Sequence, residues 1–154
     1  MKLTLFFNAY NYYIMQLDNL SFEYWNELAR QFILICTFLG GFSLTTVVTL
    51  LIGKLDTRLK RIIFKTSVIS SLAFLIAIFG MTKILLMTTK GYPLETSHEK
   101  IIFPRIISFI AFMIGIASQI TVVSLSGWTQ SKSLGWFTSI FGFVAALLIF
   151  IFLS

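Results

Sequence analysis

Four long apolar stretches, separated by three short polar loops, constrain this chain more than any other feature of its sequence. They cover residues 31–53, 62–87, 101–125 and 134–153, and none carries a charged side chain at its middle. One helix needs about 20 mainly apolar residues to cross the hydrocarbon core of a bilayer. The sequence therefore predicts an all-α polytopic membrane protein, an antiparallel bundle of four transmembrane helices joined by short loops.

The composition argues against a soluble catalytic domain and against a nucleic-acid-binding domain. The chain has 154 residues, of which 57% are hydrophobic and 12% charged, whereas soluble domains have about 25% charged residues. The net charge of +6 comes from basic residues near the span ends, where they set topology and contact lipid headgroups. We expect the lipid bilayer as the surroundings and no nucleic acid as a partner.

The segment before the first span is amphipathic and aromatic. Ser21 is a suitable N-cap, and Glu23 in the first turn would stabilise the helix through its interaction with the helix dipole. Tyr24 and Trp25 are residue types that lie at the level of the lipid headgroups. We predict a short interfacial helix within residues 1–30 and a single transmembrane domain over residues 31–154. Pro104 is expected in the first turn of the third helix, where its missing N–H costs nothing.

The loops give a weak signal for orientation. The first and third loops together carry six basic residues, and the opposite side also carries six. The first loop is the densest, with Lys54, Arg58, Lys60 and Arg61 followed by Lys65. Because such clusters remain on the cytoplasmic side, we expect this loop in the cytoplasm, both termini outside it, and a bacterial inner (cytoplasmic) membrane.

The first span contains a stripe of small residues that repeats every four positions. Its members are Thr37, Gly41, Thr45, Thr49 and Gly53. Residues four apart share one face of a helix, and small faces let membrane helices approach closely. The stripe predicts either a helix-packing face or, in an oligomer, the hydroxyl-lined wall of a pore. Both interpretations place it against protein or water.

The other spans carry shorter sets of small residues at the same spacing. They are Ser67/Ser71, Ala73/Ala77, Ala111/Gly115, Gly135/Ser139 and Gly142/Ala146. A small face on every span is what a compact bundle needs. Most of the 17 phenylalanines should then face lipid.

Gln119 is the most polar side chain well inside a span. An unpaired amide in hydrocarbon costs several kcal/mol, so it needs a partner on a neighbouring helix, for which Thr45, Ser70 and Ser71 are candidates. The expected role is an interhelical hydrogen bond. The alternative is a position on a solute or ion path.

Acidic residues near the span ends suggest two further sites. Glu23 and Glu27 lie one turn apart and would form acidic rings at a pore mouth in an oligomer, whereas a monomer would pair Glu27 with Arg30. Glu95 and His98 have a metal-ligand spacing, but a lone histidine in a helix-capping sequence favours capping. We predict no metal site and no cofactor.

The remaining chemistry points away from an enzyme. The spans contain no Asp or Glu and no nucleophile–base pair, and Cys36 is a lone thiol that forms no intrachain disulfide. We expect no catalytic residues. The favoured function is a non-enzymatic membrane subunit that packs with itself or with a partner membrane protein. The alternatives are a homo-oligomeric channel lined by the first span and a facilitator of small solutes.

Overall fold

Four long helices cross the molecule from end to end. The computed structural model describes residues 21–53, 55–90, 92 and 98–153, and the helices are α1 (Phe22–Ile52), α2 (Arg58–Thr88), α3 (His98–Ser126) and α4 (Lys132–Leu153). A 3₁₀ turn, Gly127–Thr129, precedes α4. All four helices are long and apolar enough to cross a membrane. The predicted all-α, four-span membrane bundle is confirmed.

The first helix starts earlier than its apolar run. The Ser21 hydroxyl accepts a hydrogen bond from the Tyr24 amide at 3.2 Å, which makes Ser21 the N-cap. From Phe22 the helix continues without a break into the first span. The described part of the expected interfacial helix therefore forms the first turns of α1. It is continuous with the span because no glycine or proline separates the two. Residues 1–20 lie outside the described part of the chain.

The start of α1 is fastened to the end of α2 by one side chain. The Asn26 amide nitrogen lies 3.2 Å from the Leu85 carbonyl and 3.1 Å from the Thr88 hydroxyl. Carbonyls in the last turn of a helix have no partner within the helix, so Asn26 satisfies one of them. The α1–α2 hairpin is thereby closed opposite its short connecting loop.

Pro104 lies inside α3 and not in its first turn as expected. The helix already begins at His98, so the proline removes a backbone hydrogen bond from an established helix. Pro104 is buried, and its carbonyl accepts the Ser108 hydroxyl at 2.7 Å. The sequence interpretation was wrong because it took polar loop residues as the helix boundary.

The second helix is the centre of the bundle. It packs against α1 on one side and α3 on the other, whereas α4 contacts α3 and the 3₁₀ turn. The small-residue pairs of α2 (Ser67, Ser71, Ala73 and Ala77) are buried, as are Ala111, Gly115, Gly135 and Gly142 of the later helices. These stripes pack within the chain as predicted.

Phe74 is the largest fully buried side chain and fills a hole between three helices. A Cβ atom at Gly40 of α1 would lie 3.4 Å from the Phe74 Cβ, and one at Gly115 of α3 would lie 2.8 Å from the Phe74 ring. The ring centroid of Phe112 is 6.4 Å away. Many other phenylalanines are exposed on the outer surface, as expected for lipid contact.

A methyl group at Gly115 tests this packing. We expect Gly115→Ala to lower the free energy of unfolding by about 1–3 kcal/mol, because the new Cβ overlaps the Phe74 ring. Gly41→Ala is the matched control, since a Cβ there meets nothing within 4 Å. Thermal unfolding in detergent, followed by circular dichroism, measures both. Equal stability of the two variants would contradict the described role of Phe74.

Candidate functional site

A small cluster of polar side chains lies between α1, α2 and α3. The Gln119 side-chain oxygen lies 2.6 Å from the Ser43 hydroxyl and 3.2 Å from the Ser70 hydroxyl. Ser43 and Ser70 are 3.0 Å apart, and Ser70 is also 3.0 Å from the Gly115 carbonyl. Each hydroxyl has a single proton, so these contacts are alternative hydrogen bonds that can exchange without moving a heavy atom.

Gln119 has an interhelical hydrogen-bond partner, as its position inside a span demands. Of the three candidate partners named from sequence, the structure places Ser70 against the amide and not Thr45 or Ser71. Ser43 was missed. Its signal was its i+3 spacing from Gly40, which puts both residues on the face of α1 that α2 covers.

Two further hydroxyls of α2 are buried without a hydrogen bond among the described residues. The Ser67 and Ser71 oxygens have no partner among the described residues, and the two residues are 0% and 4% exposed. A buried hydroxyl left unpaired costs about 1–3 kcal/mol.

A cleft of about 360 Å³ opens between α1 and α3 at the end of the bundle that carries the first and third loops. Gln119 and Ser126 line it from α3, and three threonines line it from α1: Thr45, Thr46 and Thr49. Among the described residues, Lys60 is the one charged side chain in the lining. The cleft therefore leads from a loop face to the amide of the polar cluster.

The small-residue stripe of the first span, the outward stripe of α1, lies outside the buried face of that helix. All five members are exposed: Thr37, Gly41, Thr45, Thr49 and Gly53. Within the chain, α1 packs through a neighbouring stripe that contains the buried Cys36, Gly40 and Ser43. Thr45 and Thr49 also border the cleft, whereas Thr37 and Gly41 do not.

The threonines of the outward stripe use their own helix as hydrogen-bond acceptor. The hydroxyls of Thr37, Thr45 and Thr49 lie 2.7 Å, 2.9 Å and 2.8 Å from the carbonyls four residues earlier. Such bonds are common for threonine within helices. They leave a surface of small residues with its hydroxyl donors satisfied, which suits contact with another apolar surface.

Glu23 and Glu27 are both exposed at the opposite end of α1. The Glu23 carboxylate lies 3.7 Å from the ammonium group of Lys90, which follows the end of α2, and the two form an ion pair. No other ion pair forms between described residues, so Glu27 does not pair with Arg30 as a monomer was expected to show. A fully solvated pair of this kind adds little stability. An acidic ring remains a prediction about an assembly.

Glu95 and His98, the two residues with a metal-ligand spacing, lie mostly outside the part of the chain that the structure describes. Glu95 is not described, and of His98 and Glu99 the structure describes only the backbone at the start of α3. Among the side chains that are described, no three His, Cys, Asp or Glu residues come together in a way that could hold a metal ion.

Comparisons of the chain with protein-family models, with curated proteins and with solved structures gave no match.

Single cysteines in a Cys36→Ala background measure which parts of the α1 surface meet water. We expect Thr45→Cys and Thr49→Cys to react with a charged thiol reagent faster than Thr37→Cys, because only the first two border the cleft. Leu44→Cys and Val48→Cys are the depth-matched controls, since both native residues are exposed outside the cleft.

Two outcomes would change this assignment. Equal protection of Thr45→Cys and its neighbour Leu44→Cys would show that the cleft excludes water. Equal reaction at Thr37, Thr45 and Thr49 would instead support a continuous aqueous path along the stripe, as in a pore.

Proposed function

We propose that this protein is a non-enzymatic membrane subunit that associates with copies of itself or with a partner membrane protein through the outward stripe of α1. The observation that carries the proposal is the position of the stripe. The small faces of the other helices are buried within the chain, whereas the longest one is exposed. No described residue lies within 4 Å of a Cβ atom at Gly41, so the close approach that this face permits is not used there.

The shape of the α1 surface supports a helix as the partner. Phe38 and Phe42 stand on one side of the stripe, Leu44 and Val48 stand on the other, and all four are exposed. A Cβ atom at Gly41, between these ridges, would meet nothing within 4 Å. A groove with a glycine floor and apolar walls fits the side-chain ridge of a second helix.

Gly41→Leu tests the association. A Cβ atom at this position meets nothing within 4 Å, and the leucine side chain would occupy the groove, so we expect at least about tenfold weaker self-association or partner binding, or about 1.4 kcal/mol. Ala145→Leu on α4 is the control, because it adds an exposed side chain of the same size away from α1. Native mass spectrometry and energy transfer in liposomes report assembly.

The outcomes separate the alternatives. Unchanged assembly in Gly41→Leu, with normal folding, would refute this face as the interface. A defined homo-oligomer whose stripe reacts with aqueous reagents would support the channel instead of the accessory subunit.

A second candidate, a facilitator of small neutral solutes, is favoured by the cleft and the polar cluster below it. Threonine and serine hydroxyls line a path that ends at Gln119. In liposomes, this function predicts glycerol or urea flux without a partner, and a lower flux for Gln119→Leu than for Ala145→Leu. Flux no greater than that of empty liposomes would exclude it.

We further propose the bacterial inner (cytoplasmic) membrane as the location, with the first loop in the cytoplasm and both termini outside. The basic cluster of Arg58, Lys60, Arg61 and Lys65 supports this orientation.

A further inference from the structure

An apolar groove opens between α1 and α3 at the end opposite the polar cleft. It has a volume of about 370 Å³, and its walls include Leu28 and Phe32 of α1, Met81 of α2 and Phe109 of α3. Phe109 is exposed on its outer rim. Since these residues lie in helices that can span a membrane, the groove faces the interior of the bilayer.

Among the described residues, one charged side chain borders this otherwise apolar groove. Arg105 lines the groove, and its guanidinium carbon lies 5.1 Å from the centroid of the Trp25 ring, which is 6% exposed. The contact is a cation–π interaction, and it holds the guanidinium at the groove instead of leaving it free to extend into water. No carboxylate of the described residues forms an ion pair with it.

The depth of Arg105 matches the boundary between headgroups and acyl chains. It lies about 10 Å along α3 from His98, and its partner Trp25 is a residue type that concentrates at the membrane interface. A guanidinium at this level presents several N–H donors in a planar array that matches the oxygens of a phosphate.

We propose that the groove binds an anionic phospholipid of the surrounding bilayer. One acyl chain lies along Leu28, Phe32 and Phe109, and the phosphate accepts hydrogen bonds from Arg105. The groove and the cation together fit this occupant, because a lipid is the molecule in a membrane that joins a long apolar chain to a phosphate. A protein helix would fill the apolar part and leave the cation without an anion.

The charge of Arg105 favours an anionic over a zwitterionic lipid. Arg105 forms no ion pair with a carboxylate of the described residues, so the charge of an anionic headgroup can neutralise it. A zwitterionic headgroup brings its own cation beside the phosphate and gains less from this contact. This selectivity distinguishes a binding site from general contact with bulk lipid.

The fluorescence of Trp25 reports occupancy of the groove directly. Trp128→Phe and Trp136→Phe remove the other two tryptophans of the chain. Lipids brominated on the acyl chain then quench Trp25 when a chain enters the groove. We expect brominated phosphatidylglycerol to reach half-maximal quenching at about fivefold lower mole fraction than brominated phosphatidylcholine.

Arg105→Gln should remove the difference between the two lipids, and Arg105→Lys should retain part of it. Lys83→Gln is the matched control, because it removes an exposed cation at a similar depth outside the groove. We expect Lys83→Gln to keep the selectivity.

Three results would overturn the proposal. They are equal quenching by both lipids with Arg105 present, full selectivity in Arg105→Gln, and no quenching by either lipid, which would mean that protein fills the groove. The comparison of the two lipids needs no substitution in the groove. It therefore remains decisive even where Arg105→Gln fails to fold.

Discussion

The contact of Phe74 with two glycines is the interaction on which the bundle depends. Phe74 sits at the centre of α2, with its Cβ atom near Gly40 of α1 and its ring against Gly115 of α3, so one side chain sets the spacing of three helices. Hydrophobic attraction between helices is weak in lipid, and close packing of this kind replaces it. Phe112 and Phe32, with ring centroids 4.9 Å apart, extend the same aromatic layer toward α1.

This aromatic layer divides the seam between α1 and α3 into two unlike ends. On one side lies the hydroxyl-lined cleft that ends at Gln119. On the other lies the apolar groove bordered by Arg105. The two openings differ in polarity because different side chains line them. Threonine and glutamine line the cleft, whereas leucine and phenylalanine line the groove.

Helix number and the packing faces of α2, α3 and α4 could be predicted from the sequence, because long apolar runs and small residues four apart are local patterns. The packing face of α1 could not. The stripe that contains Thr37 and Gly41 and the stripe that contains Cys36 and Gly40 are offset by one residue, or about 100° around the helix. Both are small, so periodicity alone does not say which one α2 covers.

A polar contact could be predicted from the sequence only where a buried polar group had few possible hydrogen-bond partners. Gln119 had to find a hydroxyl on a neighbouring helix, and Ser70 was among the candidates. Asn26, which fastens α1 to the end of α2, gave no such signal, because a polar residue near a span end is ordinarily solvated. The groove beside Arg105 requires the relative rotation of α1 and α3, which no local pattern encodes.

The unequal lengths of the helices have a consequence for the membrane that surrounds them. At about 1.5 Å per residue, α1 and α2 with 31 residues each are about 46 Å long, whereas α4 with 22 residues is about 33 Å long. The hydrocarbon core is about 30 Å thick, so the longer pair must tilt or project beyond it while α4 spans it almost upright. A thinner or thicker bilayer changes the match of α4 most directly. Strain from such a mismatch would fall on the contact of α4 with α3 and leave the three-helix core around Phe74 unchanged.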